Sequence, residues 1–395
     1  MPVANELFLR RGGDRRLRGG HLWVYSNEVD TARSPLSDFS AGDCVAVRAS
    51  NGALLGSAYL EPNNLICARL YAPGREISFV ESLPEALSAA LTGREQAFDR
   101  PCYRLVYGDS DLLPGLVVDR FDDYLVVQLN NAGIERYEAA IVDALVGLLA
   151  PAGVLLRADS RNRREQGLED RIAVVHGEVP ERLPLEENGV RFEAPVHAGQ
   201  KTGWFYDHRM ARARLAPYVA GREVLDVYNY IGGWGIQAAA YGASAVCCLD
   251  SSATALDGVE VNARLNGLED RVSTLQGSAA EAMETLVAEG RRFGVVILDP
   301  PAFIQRKRDI KKGIKAYQRI NALGLKLLEP GGVLVSGSCS MHLSRADLVA
   351  AVQAAAVRVG RQVRLIEQGA QGPDHPIHPA IPETEYLKAL FFRAL

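Results

Sequence analysis

Apolar and polar positions divide the chain into three stretches with different rhythms. Over residues 1–72 short apolar runs are cut by Gly19-Gly20, Asn51-Gly52 and Pro62-Asn63-Asn64, the spacing of a small β-rich domain. Cys44 to Arg48 and Leu54 to Leu60 read as a hairpin about Ser50-Asn51-Gly52, since Asn-Gly readily supplies the positive φ angles of a tight turn. Residues 73–188 predict a compact α+β unit. It has a helix over Phe79 to Phe98, strands at Gly115 to Val118 and Tyr124 to Leu129, a helix over Ile134 to Leu149 and a strand at Val154 to Ala158. From 189 to 395 strands alternate with helical segments. The strands are Glu223 to Val227, Ala245 to Leu249, Val272 to Leu275, Val295 to Leu298 and Val333 to Gly337. That alternation predicts an α/β, Rossmann-like doubly wound parallel sheet, which binds ligands at the carboxyl ends of its strands.

Composition narrows the class. With 48% hydrophobic and 23% charged residues in 395, the chain has ample material for two or three buried cores. The net charge of -4 argues against a uniformly basic nucleic-acid binder and leaves local patches. Three basic runs stand out: Arg10 to Arg18, Arg157 to Arg164, and Arg306, Lys307, Arg308, Lys311, Lys312 and Lys315. Each reads by default as a solvated face. The six cysteines are scattered, with no CxxC pair and no histidine at zinc spacing, so neither a metal site nor a disulfide framework is expected. A reducing cytoplasm is the simplest compartment. No apolar run approaches a membrane span, and Met1 to Glu6 is too polar for a signal peptide.

The run from Val224 to Ile236 places a glycine loop between a strand and a helix, with Tyr230, Gly232, Gly233 and Gly235 at the turn. Glycines admit a ligand close to the backbone and leave helix N-terminal amides free. Nicotinamide-binding folds share such loops, and the surroundings discriminate. Asp226 is placed to meet the ammonium of a methionine moiety, and Asp250, followed by Ser251, to accept ribose hydroxyls. The fourth strand ends in Asp299-Pro300-Pro301-Ala302-Phe303, whose prolines fix φ and turn the carboxylate toward the cleft. Taken alone, Asp-Pro-Pro points to methylation of an amino group.

The fifth strand ends in Ser336-Gly337-Ser338-Cys339-Ser340, beside Asp299 if the strands are neighbours. That changes the expected chemistry. C5 of cytosine is too weak a nucleophile to take a methyl group unaided, so a thiolate adds to C6 first. Cys339 suits that role and Asp299 a general-acid role toward the base, with the nucleotide single-stranded or flipped out. Near the N-terminus, Arg18, His21 and Trp23 mix cations for phosphates with aromatics for bases, although a strand tryptophan more often packs in a core.

Several further segments carry a resemblance over essentially the whole chain. They are Arg18 to Trp23, Tyr103 to Gly108, Leu113 to Arg120, Gly199 to Arg209, Asp299 to Phe303, Ser338-Cys339-Ser340 and Pro382 to Lys388. Together they resemble the bacterial 23S ribosomal RNA cytosine-C5 methyltransferases of the large-subunit methyltransferase I type. The resemblance implies an N-terminal PUA-like RNA-binding domain, S-adenosyl-L-methionine as cofactor and 23S ribosomal RNA as partner, with a homodimer left open. It also implies that Gln200 to Arg209 closes over the cofactor through Lys201, Thr202, Gly203 and Phe205, and that Tyr317 and Asn321 line the active-site side of a helix, toward the substrate RNA. By residue pattern alone, Gln200 to Arg209 reads as the start of an amphipathic helix. Two departures follow. Pro301-Ala302 stands where many such enzymes carry a second cysteine, so Cys339 handles addition and elimination with another base. Ser278 stands where an acidic residue commonly meets the adenine amino group. An amino-directed RNA methyltransferase and a non-catalytic RNA-binding assembly factor stay open as alternatives.

Overall fold

The structure, a computed structural model, describes residues 5–395; Met1 to Ala4, the start of the segment read as too polar for a signal peptide, lies outside the described residues. The chain folds as two compact units. The first comprises Met1–Leu183, Pro195–Trp204 and Pro373–Thr384, the second Pro184–Ala194, Phe205–Gly372 and Glu385–Leu395.

The first unit holds two five-stranded sheets. One is built from β1 (Asn5–Phe8), β2 (Trp23–Tyr25), β3 (Cys44–Arg48), β4 (Leu54–Leu60) and β5 (Ile66–Pro73), in the order β1-β3-β4-β5-β2. The β3/β4 hairpin has the bounds its pattern predicts, but its turn differs. Only Gly52 takes a positive φ (+88°), while Asn51 accepts a hydrogen bond from the Ala53 N–H at 3.2 Å. The register shift at Val47/Arg48 takes up the extra loop residue. The other sheet has the order β10-β9-β8-β7-β6, from β6 (Cys102–Tyr107), β7 (Leu116–Phe121), β8 (Tyr124–Leu129), β9 (Gly153–Ala158) and β10 (Arg171–Gly177). The helix expected over Ile134 to Leu149 is broken into Ala132–Glu135 and Glu138–Leu149. Asn131 caps the first piece by accepting from Ile134 N–H at 2.9 Å, and Tyr137 leaves helical geometry to donate to Gly42 O at 2.5 Å. A tertiary hydrogen bond thus overrides a continuous apolar pattern.

After a two-stranded ladder of β11 (Arg182–Glu187) and β12 (Val190–Pro195), the second unit forms a seven-stranded sheet. Its strands are β13 (Glu223–Val227), β14 (Ala245–Asp250), β15 (Val272–Gln276), β16 (Phe293–Leu298), β17 (Leu328–Ser338), β18 (Val363–Gly369) and β19 (Lys388–Ala394), in the order β15-β14-β13-β16-β17-β19-β18. The first five run parallel, and β19 runs antiparallel between β17 and β18. The central strands β13 and β16 are buried along nearly their whole length, as a parallel sheet covered on both faces requires. Leu225, Val296, Leu298, Leu325, Leu334 and Val352 share one core. Gly324 lets the helix Ile310–Leu327 close on this sheet, since a Cβ there would meet Leu334 at 2.9 Å and Leu298 at 3.0 Å. Strand order reverses at β13, with β14 on one side and β16 on the other, so the carboxyl ends of β13, β14, β16 and β17 frame a switch-point cleft. Among the described residues no helix is long and apolar enough to cross a membrane.

Candidate active site

The cofactor half of this cleft is built around the loop after β13. Asp226 is fully buried; one carboxylate oxygen accepts the Gly235 N–H at 2.8 Å and the other has no partner among the described residues. Burial pushes Asp226 up to about 8, against the pull of the Gly235 hydrogen bond. Gly235 is sterically required, because a Cβ would lie 2.6 Å from Cys248 Sγ and 3.1 Å from the Asp226 carboxylate. Gly232 caps the helix Gly233–Ala240 at φ +86°, and Tyr228 and Tyr230 also hold positive φ, +64° and +51°. Such geometry is costly in bulky residues and is typical of ligand loops. Asn229, inside the loop but not singled out from sequence, is 3% exposed with both side-chain polar atoms unpaired among the described residues. Its burial carried no sequence signal.

Asp250, ending β14, accepts the N–H groups of Tyr230 and Ser252, each at 3.0 Å, and its oxygens keep lone pairs for further donors. Phe205 stands edge-on to Tyr230, ring centroids 5.5 Å apart. Ser251 and Ser278 are exposed just after β14 and β15, and Ser278 makes no side-chain cap to the helix it precedes. Orphaned polar atoms at Asp226 and Asn229 beside a glycine loop, with a carboxylate one strand over, fit a ligand bearing an amino acid group and a ribose. The other expected cofactor residues, Lys201, Thr202 and Gly203, belong to the first unit. There the chain turns instead of starting a helix, with Lys201 at φ +51° and Gly203 at +98°. The Thr202 hydroxyl is buried and committed to Asp119, 2.5 Å away, leaving only its backbone for a ligand.

Asp299 follows β16 and is clamped from two sides. Trp234 Nε1 donates to one oxygen at 3.0 Å and His208 Nε2 lies 3.1 Å from the other. Burial works against a charged His208, but the Asp299 and Asp207 carboxylates outweigh it and the pKa is raised. Pro300, next in the chain, is buried. Neither His208 nor Trp234 was legible as a partner of Asp299, because the contacts span 91 and 65 residues of sequence.

The cysteine strand is the direct neighbour: β16 pairs with β17, Leu298 opposite Ser336. Gly337 packs on Asp299, where a Cβ would lie 2.9 Å from its carboxylate. Cys339 comes two residues later, half-buried and outside any disulfide. Around it the Tyr317 hydroxyl contacts Ser338 Oγ at 2.8 Å and Ser340 Oγ at 2.9 Å, and Ser340 Oγ accepts the Ile304 N–H at 3.2 Å. Burial raises the Tyr317 phenol, against the pull of the two serine hydrogen bonds. Asn321, fully buried, donates to Tyr317 O at 2.8 Å. Both side chains are buried; Tyr317, through Ser338 and Ser340, links the Cys339 loop to the Asp299 loop, while Asn321 bonds only its own helix and its side-chain oxygen has no partner among the described residues.

The first unit ties up its own candidates. Arg18 is paired with Asp14 at 2.6 Å, and Trp23 donates to Asp109 at 2.8 Å with Arg69 over its ring. His21 Nδ1 accepts the Trp23 N–H, and burial with Arg16 nearby lowers its pKa, so it offers a neutral ring rather than a charge. Of the three basic runs, Arg157 and Arg163 are buried in ion pairs with Asp159 and Glu135 and are no solvated face. By contrast Arg306, Lys307, Arg308, Lys311, Lys312 and Lys315 are all exposed, and none forms an ion pair among the described residues.

A doubly wound sheet with a glycine loop at its switch point, followed by acidic strand ends, defines a domain that binds a nucleoside-bearing cofactor. Residues 146–393 match the S-adenosylmethionine-dependent methyltransferase family and residues 7–73 the PUA-like domain. Proteins named ribosomal RNA large subunit methyltransferase I are similar along their whole length. That of Vibrio cholerae is 33% identical over 98% of this chain and 99% of its own, and that of Aliivibrio fischeri 34% identical over 99% of each. The chain belongs to the family of ribosomal RNA large subunit methyltransferase I, and S-adenosylmethionine is its cofactor. A Streptococcus mutans SAM-dependent methyltransferase shares the fold at TM-score 0.83 and 18% identity, covering 98% of this chain and 100% of that one. A methyltransferase solved with SAH shares it at TM-score 0.84 and 18% identity, with the same coverage.

Proposed function

We propose that the protein methylates C5 of a cytosine in 23S ribosomal RNA through a transient bond between Cys339 and C6 of the base. The observation that carries this reading is the β16/β17 register, which sets the Cys339 loop against Asp299. The cofactor supplies an electrophilic methyl group. The chain supplies the rest. Cys339 thiolate adds to C6, and the displaced electron pair raises the nucleophilicity of C5. Asp299, held by Trp234 and His208, faces the polar edge of the base and supports the charge that builds there. After transfer a base removes the C5 proton, the C5–C6 double bond re-forms, and the thiolate leaves.

The RNA reading is supported by the names of the relatives and by the PUA-like match, from which residues 1–72 are assigned to RNA docking. The exposed run from Arg306 to Lys315 leads from the Asp299 loop into the helix behind it. Unpaired cations there suit phosphates flanking a flipped-out nucleotide. The test is RNA carrying 5-fluorocytosine, whose fluorine does not leave as a proton does. Incubation with cofactor traps a protein–RNA adduct that survives denaturation, and Cys339→Ala yields neither adduct nor methylated RNA. A Cys339→Ala protein with full activity excludes the reading and favours an amino-directed enzyme.

A further inference from the structure

Lys388 ends the motif Pro382 to Lys388, to which the proposed chemistry assigns no role. It opens β19 and lies opposite Ser338 in the antiparallel register with β17. Its side chain is turned inward, 5% exposed, and Nζ donates to Ser340 O at 2.7 Å and Leu343 O at 2.8 Å. One residue thus engages both chain neighbours of Cys339, Ser338 through the backbone ladder and Ser340 through the ammonium. An ammonium has three donors, and the third has no partner among the described residues.

A lysine removed from water sheds its proton unless an anion compensates. Burial brings Lys388 down to about 8; Cys339 and Glu385 act to keep it charged, and Arg345 opposes them. The loop itself carries His342, the Tyr317 hydroxyl bonds two of its serines, and Asp299 with His208 stands on the neighbouring strand. Lys388 brings its cation against the loop from β19.

We propose that Lys388 is the positioning residue of the nucleophile: its ammonium fixes the Ser338 to Leu343 loop and holds Cys339 as a thiolate before the base arrives. This rests on the reading of Cys339 as nucleophile. The thiol proton goes to solvent, and the thiolate expelled at the end of the cycle returns to the same cation.

The test follows alkylation of Cys339 by iodoacetamide in the full chain against pH, with the modified cysteine located by peptide mass, alongside kcat for methyl transfer. The expected midpoint for the wild-type cysteine lies about one unit or more below the ordinary thiol value of about 8.5. Lys388→Met raises that midpoint by about one unit and lowers kcat at neutral pH roughly tenfold, the loss shrinking as pH rises; Lys388→Arg restores part of both. Equal midpoints in wild type and Lys388→Met overturn the proposal. So does a wild-type midpoint at or above about 8.5, a result that needs no folded variant. The two readings fail separately: a depressed midpoint together with a fully active Cys339→Ala keeps the ion pair and discards the nucleophile.

Discussion

The two halves of the cleft floor are built in opposite ways. At the end of β13 the protein buries polar atoms and leaves them unpaired, namely one oxygen of Asp226 and both polar atoms of Asn229. At the end of β17 Tyr317, Ser338, Ser340 and Lys388 bond one another or the loop they enclose. An unpaired buried group costs free energy that a ligand recovers on binding, so the first half is a site completed by its cofactor. A paired network holds its geometry before any substrate arrives, so the second half is organised for chemistry in advance. Asp299 joins them, fixed by Trp234 from the glycine-loop helix and lying under Gly337 of the cysteine strand.

If Asp299 is the joint, its loss has the largest effect. Asp299→Asn keeps the shape but loses the charge beside His208 that the proposed mechanism sets toward the base. Expected is a fall in kcat of about 10²–10⁴-fold with cofactor affinity changed far less, read by single-turnover kinetics and calorimetry. Equal losses in both would place Asp299 wholly in the cofactor half. Next comes Gly235→Ala, which forces a methyl group into Cys248 and the Asp226 carboxylate. Overpacking of this kind costs about 1–3 kcal/mol, so cofactor affinity is expected to drop roughly 10- to 100-fold while β17 and its loop keep their hydrogen-exchange protection. Loss of protection at Ser338 to Ser340 would show that the halves are not independent.

The same contrast explains what was legible in the sequence. Strand ends were legible, because a buried parallel strand is an apolar run and its last residue is the first polar one. Asp250 and Asp299 were placed at strand ends that way, and β13 has the expected bounds. Partners across the fold were not. Lys388 reaches the Cys339 loop only because β19 inserts antiparallel next to β17, a register that apolar periodicity does not encode. Only the resemblance set Tyr317 and Asn321 on the active-site side of a helix; their burial depends on packing between elements far apart in sequence. Arg157 and Arg163 misled for the same reason, since a run of arginines looks exposed until buried carboxylates and carbonyls are found around it.

Tyr317→Phe tests the paired half directly. It removes one hydroxyl and leaves each of two buried serine hydroxyls with a backbone N–H but without its tyrosine partner. The expected cost is about 1–3 kcal/mol of stability, seen as a lower denaturation midpoint, with kcat reduced roughly tenfold and cofactor affinity unchanged. A variant as stable as wild type would mean that water replaces the hydroxyl and that the network is less closed than the contacts imply.

The smallest effect tests the unpaired half. Asp226 stands near 8 in the unliganded protein, above the value of about 3.9 of a free aspartate. A carboxyl raised on folding favours the folded state fully below the unfolded pKa, and the advantage is lost as pH climbs through the folded one. Asp226 is therefore protonated in the unliganded protein at neutral pH and below, and its contribution to stability declines between about pH 4 and 8. If its free oxygen receives the ammonium of the cofactor, binding must ionise it. Calorimetry in buffers of different ionisation enthalpy, at about pH 6.5, should then report close to one proton released per cofactor bound. Asp226→Asn should abolish the release, keep the bond from Gly235 through its amide oxygen, and weaken binding by about one order of magnitude. Binding with no proton released in the wild type would leave Asp226 neutral under the loop, with Asn229 as the buried group the ammonium reaches.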